Sequence, residues 1–210
     1  MTDLRDPSEA LAAAIAARLI HDFSGPASGV ITGLDLQSSG DGTLAASGLE
    51  LANESARALL DMLEVWRVAF AGRAGPQAAD ALARMADACF EGRRARLDWT
   101  PQAPTYEALP ARAVLLACQI AAGGLASGGV AALSAGREGD RWRVRLEGRG
   151  PRAGLPPEAL SCLIDGAGEI GGRWAPAAFL RAMTANAGGQ LAYESLSEGF
   201  ALTVSLPADG

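Results

Sequence analysis

The chain has 210 residues, of which 49% are apolar and 20% charged, and its formal net charge is −6. That length suits one large or two small domains, burying roughly 70% of the surface an extended chain would expose, without disulfide or metal staples. The acidic balance excludes a sequence-independent grip on phosphate backbones, so no nucleic acid is expected as partner, and no stretch approaches the ~20 uninterrupted apolar residues that cross a bilayer.

A first helix is predicted from Pro7-Ser8, capped by Ser8 or Asp6 with Glu9 in its first turn, to about Gln37. Its apolar part, 10–20, has the length of a signal-peptide centre. Asp3, Asp6 and Glu9 before it and Arg18 within it are the wrong flanks, so a cytoplasmic protein is expected. At about 100° per residue, Leu11, Ala12, Ile15, Ala16, Leu19, Phe23, Val30 and Leu34 fall on one stripe, with His21 opposite its centre. Pro26 removes a backbone donor and predicts a bend just after His21. The turn Ser38-Ser39-Gly40-Asp41-Gly42 leads to a second helix over 43–71, with Leu44, Gly48, Leu51, Ser55, Leu59, Met62 and Trp66 near a heptad seam. A hairpin of two such helices, each about 45 Å long, leaves an apolar face uncovered, and two copies pairing as a four-helix bundle would cover it. A homodimer is therefore expected.

Residues 72–77, rich in Gly, Pro and Ala, read as a linker, giving a hairpin domain over 1–72 and a second domain over 77–210. In the latter a helix over 77–92 precedes a strand over 94–99 and a proline-rich loop over 100–106. An apolar helix over 109–126 follows. Strands over 130–135 and 142–147 form a hairpin in which Arg141, Arg143 and Arg145 alternate with Trp142, Val144 and Leu146, the period of a half-buried sheet. Helices over 156–164 and 175–187 precede a final hairpin of strands over 190–195 and 200–206. The fold class is α+β, a helical hairpin followed by an α/β sandwich. Arg93-Arg94-Ala95-Arg96 reads as a helix C-terminus complementing its dipole. Cys89, Cys118 and Cys162 lie far apart in apolar contexts and read as buried thiols in a reducing compartment; with no second histidine, they offer no metal set.

His21, the only histidine, carries the chemistry. A neutral imidazole nitrogen is available as a nucleophile near pH 7, provided the other ring nitrogen is held protonated. Asp22 is adjacent and suited to holding it. Gly25, Ser28 and Thr32 share the exposed face, and with Ser24 and Pro26 they would let another protein's backbone come close. Arg18, one turn earlier, could pair with an acidic rim on that protein.

The run His21-Asp22-Phe23-Ser24-Gly25-Pro26 resembles the phosphoacceptor box of two-component histidine kinases. The order of elements resembles a kinase core, and Ala187-Gly188-Gly189-Gln190-Leu191 with Gly199-Phe200-Ala201-Leu202-Thr203-Val204-Ser205-Leu206-Pro207 is similar to the closing hairpin of the kinase ATP-binding domain. The nucleotide-binding residues of that domain are missing. Kinases carry an asparagine in the helix equivalent to 109–126, where an oxygen ligand serves Mg²⁺. Here no Asn, Asp or Glu lies between Leu109 and Ser127, and Gln119 is the only amide. The kinase glycine box carries an aspartate, whereas Gly148-Arg149-Gly150-Pro151 has an arginine and the next acid is Glu158. The pairs Gly123-Gly124, Gly128-Gly129 and Gly171-Gly172 read as turns, since none has the lysine and hydroxyl of a P-loop.

An intact acceptor beside a degenerate nucleotide pocket resembles the ChpT-type histidine phosphotransferases of alphaproteobacteria. The acceptor helix of that family carries a His-Asp-Phe motif, a nearby proline and a Gly-Leu-Glu-Leu-like run; this chain has His21-Asp22-Phe23, Pro26 and Gly33-Leu34-Asp35-Leu36. Ser24-Gly25 before the proline and Thr32 before Gly33 depart from the family pattern and bear on partner choice. The resemblance implies that His21 takes a phosphoryl group from the receiver-domain aspartate of a hybrid kinase and passes it to a response-regulator receiver. The receiver would bring its own Mg²⁺, and this chain would bind no cofactor or metal and would not autophosphorylate from ATP. Gly25, where kinases often have Thr or Asn, implies weak phosphatase activity. A divergent ATP-dependent kinase and a non-catalytic dimeric scaffold are the alternatives.

Overall fold

A computed structural model of the chain describes residues 6–71, 75–166 and 169–208. Two long helices come first: α1, Pro7–Gln37, and α2, Gly42–Phe70. Asp6 caps α1 by accepting from the Ser8 amide at 3.0 Å, and Asp41 caps α2 by accepting from Thr43 and Leu44. Ser8 is thus the donor at the first cap and Asp6 its acceptor. Pro26 lies inside α1, which continues beyond it. The missing N–H costs ~3 kcal/mol in an isolated helix, and the long contact with α2 offsets it.

That contact is a seam of small residues. A Cβ on Gly33 would lie 2.5 Å from the Gly48 carbonyl, one on Gly48 would meet the backbone of Gly33 and Gln37, and one on Gly29 would run into the Ser55 side chain. The expected apolar stripe of α1 is divided as a result. Ala14 and Gly33 are buried, whereas Leu19 and Leu34 remain exposed at 40% and 49%. Glycines bring the backbones together, so larger side chains are turned outward.

The second unit begins with β1, Gln77–Ala78, and α3, Ala79–Ala88. The helix expected over 77–92 is therefore shorter at both ends. Its first two residues pair antiparallel with β3, Thr105–Tyr106, and its last turn unwinds after Cys89 towards Gly92, at φ +67°. The expected linker includes 72–74, which lie outside the described residues. Between these elements runs β2, Ala95–Trp99. The loop expected over 100–106 ends in structure because Tyr106 is fully buried: its hydroxyl donates to the Ala135 carbonyl and accepts from the Gln102 amide, both at 3.1 Å, and its ring packs between Trp99 and Trp142.

Next come α4, Ala108–Gly124; β4, Gly129–Glu138; β5, Arg141–Arg149; α5, Pro157–Leu160, which widens into a π turn over Ser161–Asp165; a 3₁₀ turn, Gly172–Trp174; α6, Ala175–Asn186; β6, Gln190–Leu196; and β7, Gly199–Pro207. The helix expected over 156–164 is thus split into two geometries. The strands form one sheet in the order β2-β4-β5-β7-β6, with β2 and β4 parallel and the other pairs antiparallel. Trp142, Val144 and Leu146 on β5 and Phe200, Leu202, Val204 and Leu206 on β7 point into the core. Helix α4 is buried almost throughout, between the sheet and helices α2 and α6, which is why it has no charged residue after Arg112.

The foot of the hairpin belongs to this same core. Val68 and Ala69 are fully buried, and Trp66 stacks on Phe70, which meets Phe179 of α6 at a tilt. The hairpin is therefore rooted in the α/β unit by burial of apolar surface.

Candidate functional site

His21 projects from α1 with its side chain 83% exposed. Its Nδ1 lies 3.1 Å from Asp22 Oδ1. A carboxylate only accepts, so this contact requires the proton on Nδ1 and leaves the Nε2 lone pair free. The other Asp22 oxygen, Oδ2, accepts from Arg18 Nε at 2.8 Å, the i, i+4 spacing of a helix. Arg18 Nη1 in turn donates to the Arg173 carbonyl at 3.3 Å. The Asp22 and Arg18 side chains are only 16% and 14% exposed. An exposed imidazole is thus oriented by a carboxylate whose arginine partner also contacts the adjoining unit.

The remaining sequence-predicted residues extend along α1. Ser24 is exposed, and its hydroxyl donates to the Ile20 carbonyl at 2.6 Å. Gly25 is exposed, and an added Cβ would meet nothing within 4 Å. Pro26 is half-buried, and its ring nitrogen leaves the Asp22 carbonyl without a helical donor. Ser28 and Thr32 are exposed one and two turns further on. Arg18 is turned towards Asp22 and the 3₁₀ turn, so its ion pair is made within the chain.

Two clefts flank His21. One, of about 460 Å³, lies between the hairpin and the end of α3 and includes Pro26, Met62, Trp66, Cys89 and Glu91. The other, of about 440 Å³, lies against the 3₁₀ turn. Arg18, His21, Asp22, Arg93 and Gln119 border both, and Arg173 borders the second. Arg93, Gln119 and Arg173 were not among the candidate residues of the sequence. Arg93 belongs to the cluster expected to complement a helix dipole, and its Nε does cap α3 by donating to the Cys89 carbonyl at 3.0 Å. Gln119 gave the one usable signal, as the lone amide of an apolar helix. Burial pushes the Cys89 thiol up to about 12, which keeps it protonated and unreactive near neutral pH. Among the described residues no group of His, Cys, Asp and Glu is suited to a metal ion.

The glycines at the ends of α4 and β5 pack tightly against β7. A Cβ on Gly148 would lie 2.5 Å from the Phe200 ring, and one on Gly124 would touch both Phe200 and Leu155. Phe200 is fully buried. The Gly154 amide donates to the Gly124 carbonyl at 3.2 Å, closing the loop after β5 onto the end of α4.

Residues 79–199 match the family model of the histidine phosphotransferase C-terminal domain, so the chain belongs to the histidine phosphotransferase family. The match runs from α3 to the start of β7 within the α/β unit; the hairpin with His21 precedes it. Among solved structures the chain is similar to a bacterial phosphotransferase at TM-score 0.78 and 20% identity, covering 92% of this chain and 95% of that one. It is also similar to the histidine kinase domain of the EL346 blue-light activated histidine kinase from Erythrobacter litoralis, at TM-score 0.51 and 16% identity, covering 88% and 94%. At these identities the likeness establishes the fold, a helical hairpin joined to a kinase-like α/β unit. No curated protein matches the chain.

Proposed function

We propose that the chain is the histidine phosphotransferase of a two-component phosphorelay, taking a phosphoryl group from the receiver-domain aspartate of a hybrid kinase onto His21 and handing it to the receiver domain of a response regulator. The observation that carries this reading is the exposed imidazole whose Nδ1 is tied to Asp22 at 3.1 Å, leaving Nε2 open to solvent. Transfer between an aspartyl phosphate and an imidazole depends mainly on positioning and charge neutralisation. Asp22 holds the ring, and Arg18 holds Asp22. Gly25, Ser24, Ser28 and Thr32 form a face of small side chains for the receiver's backbone, bordered by Pro26. Mg²⁺ comes with the receiver.

Residues 1–72 act as the transfer hairpin and 77–210 as a degenerate kinase-like domain that binds no ATP. The lack of any Asn, Asp or Glu between Leu109 and Ser127, where kinases carry an oxygen ligand for Mg²⁺, supports that part of the reading. Two chains pair through the hairpins as a four-helix bundle, because Ile20, Ile31 and Leu34 on α1 and Leu49, Leu60 and Leu63 on α2 are between 47% and 66% exposed in the single chain. Among the described residues no helix is long and apolar enough to cross a membrane, in keeping with a cytoplasmic relay.

The test is incubation with a phosphorylated receiver. An acid-labile, base-stable phosphoryl bond is expected on the wild-type chain and none on His21→Ala, while ATP alone labels neither. Labelling from ATP would establish a kinase instead. An unlabelled chain whose His21→Ala variant still supports normal regulator output would establish a scaffold.

A further inference from the structure

The cleft of about 440 Å³ beside His21 carries more positive charge than holding the imidazole requires. Arg18, Arg93 and Arg173 border it with Asp22 as the only acid, so three guanidiniums against one carboxylate leave a charge of +2 on a chain whose total is −6. Arg18 is matched by Asp22. Arg93 and Arg173 have no carboxylate partner among the described residues. Arg93 spends one N–H on the Cys89 carbonyl, and Arg173 lies over the Trp174 ring with Nη2 at 3.5 Å from the Gly123 carbonyl. Their remaining N–H groups are available to an anion. Gln119 adds an independent sign: both atoms of its amide are buried without a hydrogen-bond partner among the described residues, on the border of the same cleft. A buried amide of that kind is costly unless something completes it.

We propose that this cleft is a phosphoryl pocket, in which Arg93 and Arg173 bind the oxygens of the phosphoryl group on His21 Nε2 and the Gln119 amide donates a further bond. The inference rests on His21 being the acceptor. In the transfer the N–P bond forms as the P–O bond to the donor carboxylate breaks. The electron pair leaves with that carboxylate, and the ring keeps its proton on Nδ1 against Asp22. The phosphoryl group arrives with negative charge on three oxygens, and the two unmatched guanidiniums neutralise it from the side opposite the receiver. The α/β unit would thereby store the phosphoryl group between two docking events, a role for which no nucleotide is needed.

Phosphoramidate, a small donor that requires no docking, separates this role from receiver binding. Wild type, Arg93→Gln, Arg173→Gln, the double variant and His21→Ala are each treated with it and followed by ³¹P NMR across pH. The phosphohistidine of the double variant is expected to decay about ten-fold faster than that of wild type, as loss of one to two charge-assisted contacts implies, and its phosphoryl titration to move to higher pH. Unchanged lifetime and titration in the double variant overturn the pocket while leaving His21 as acceptor. A variant effect seen only when a receiver is present also overturns it, since the arginines would then serve the receiver's own phosphoryl group. No phosphohistidine on wild type from either donor overturns the acceptor reading and the pocket with it.

Discussion

Asp22 is the residue on which the orientation of the His21 ring turns. Its two oxygens serve different partners, His21 Nδ1 and Arg18 Nε, so Asp22→Asn weakens both contacts while preserving shape. An amide presents only one acceptor oxygen and lets the ring turn or change tautomer. Transfer to His21 is expected to fall by about 100-fold, within the range general for a lost proton-holding partner, with thermal stability nearly unchanged. Rapid-quench kinetics with a phosphorylated receiver check this, and a rate within about two-fold of wild type would remove Asp22 from the site. His21 and Asp22 could be found in the sequence because they are adjacent and belong to a short motif. Arg173 could not, because what matters is its approach to Arg18 from 155 positions away, and nothing local marks a surface arginine that converges on a distant histidine. Gln119 stood out as polar in an apolar helix, but its meaning depends on what faces it.

Among the elements, the two long helices illustrate what periodicity does and does not fix. Both helices were located to within a residue or so at each end, the first by its cap at Asp6 or Ser8 and the second by the turn before it and its heptad-like spacing. The contact face of α1 with α2 was not legible, because a hydrophobic wheel weighs Leu19 and Leu34 and gives no credit to Gly29 and Gly33, whose value is the absence of a side chain. The tripartite contact of Gly33 with Gly48 and Ala52 makes a direct test. Alanine for glycine within a helix gains up to ~1 kcal/mol of propensity, and Gly25→Ala, facing open space, should be stabilised by up to that amount. Gly33→Ala must push the helices apart, and overpacking costs ~1–3 kcal/mol, so its net effect is destabilising. Denaturant midpoints that moved upward for both variants would refute the close approach. The loop expected over 100–106 was misread for a related reason: Tyr106 gains its place through the Ala135 carbonyl and two tryptophan rings, which are remote in sequence.

For the molecule as a whole, the division into a hairpin and an α/β unit was legible from the change of pattern near residue 75, and the family match to residues 79–199 falls on the second unit. What the pattern did not convey is how firmly the two are joined. Val65, Val68 and Ala69 of α2 share one core with Leu82, Leu115 and Leu180, so the sheet holds the base of the stalk and brings Arg93 and Arg173 up to His21. The upper stalk has no such cover, and Leu60 and Leu63 are 66% and 47% exposed. Replacing both with Glu places like charges in the expected bundle, and sedimentation should show a dimer for wild type and a monomer for the variant with its α/β unit still folded. A wild-type monomer at micromolar concentration would contradict the bundle. The central claim concerns the path of one phosphoryl group, and rapid-quench labelling through a donor receiver, this chain and a second receiver follows it directly. Label should leave the first receiver, pass transiently through an acid-labile bond on His21 and accumulate on the second, with passage blocked in His21→Asn; label lost as inorganic phosphate without a phosphohistidine, or passage unaffected by the substitution, would contradict the account.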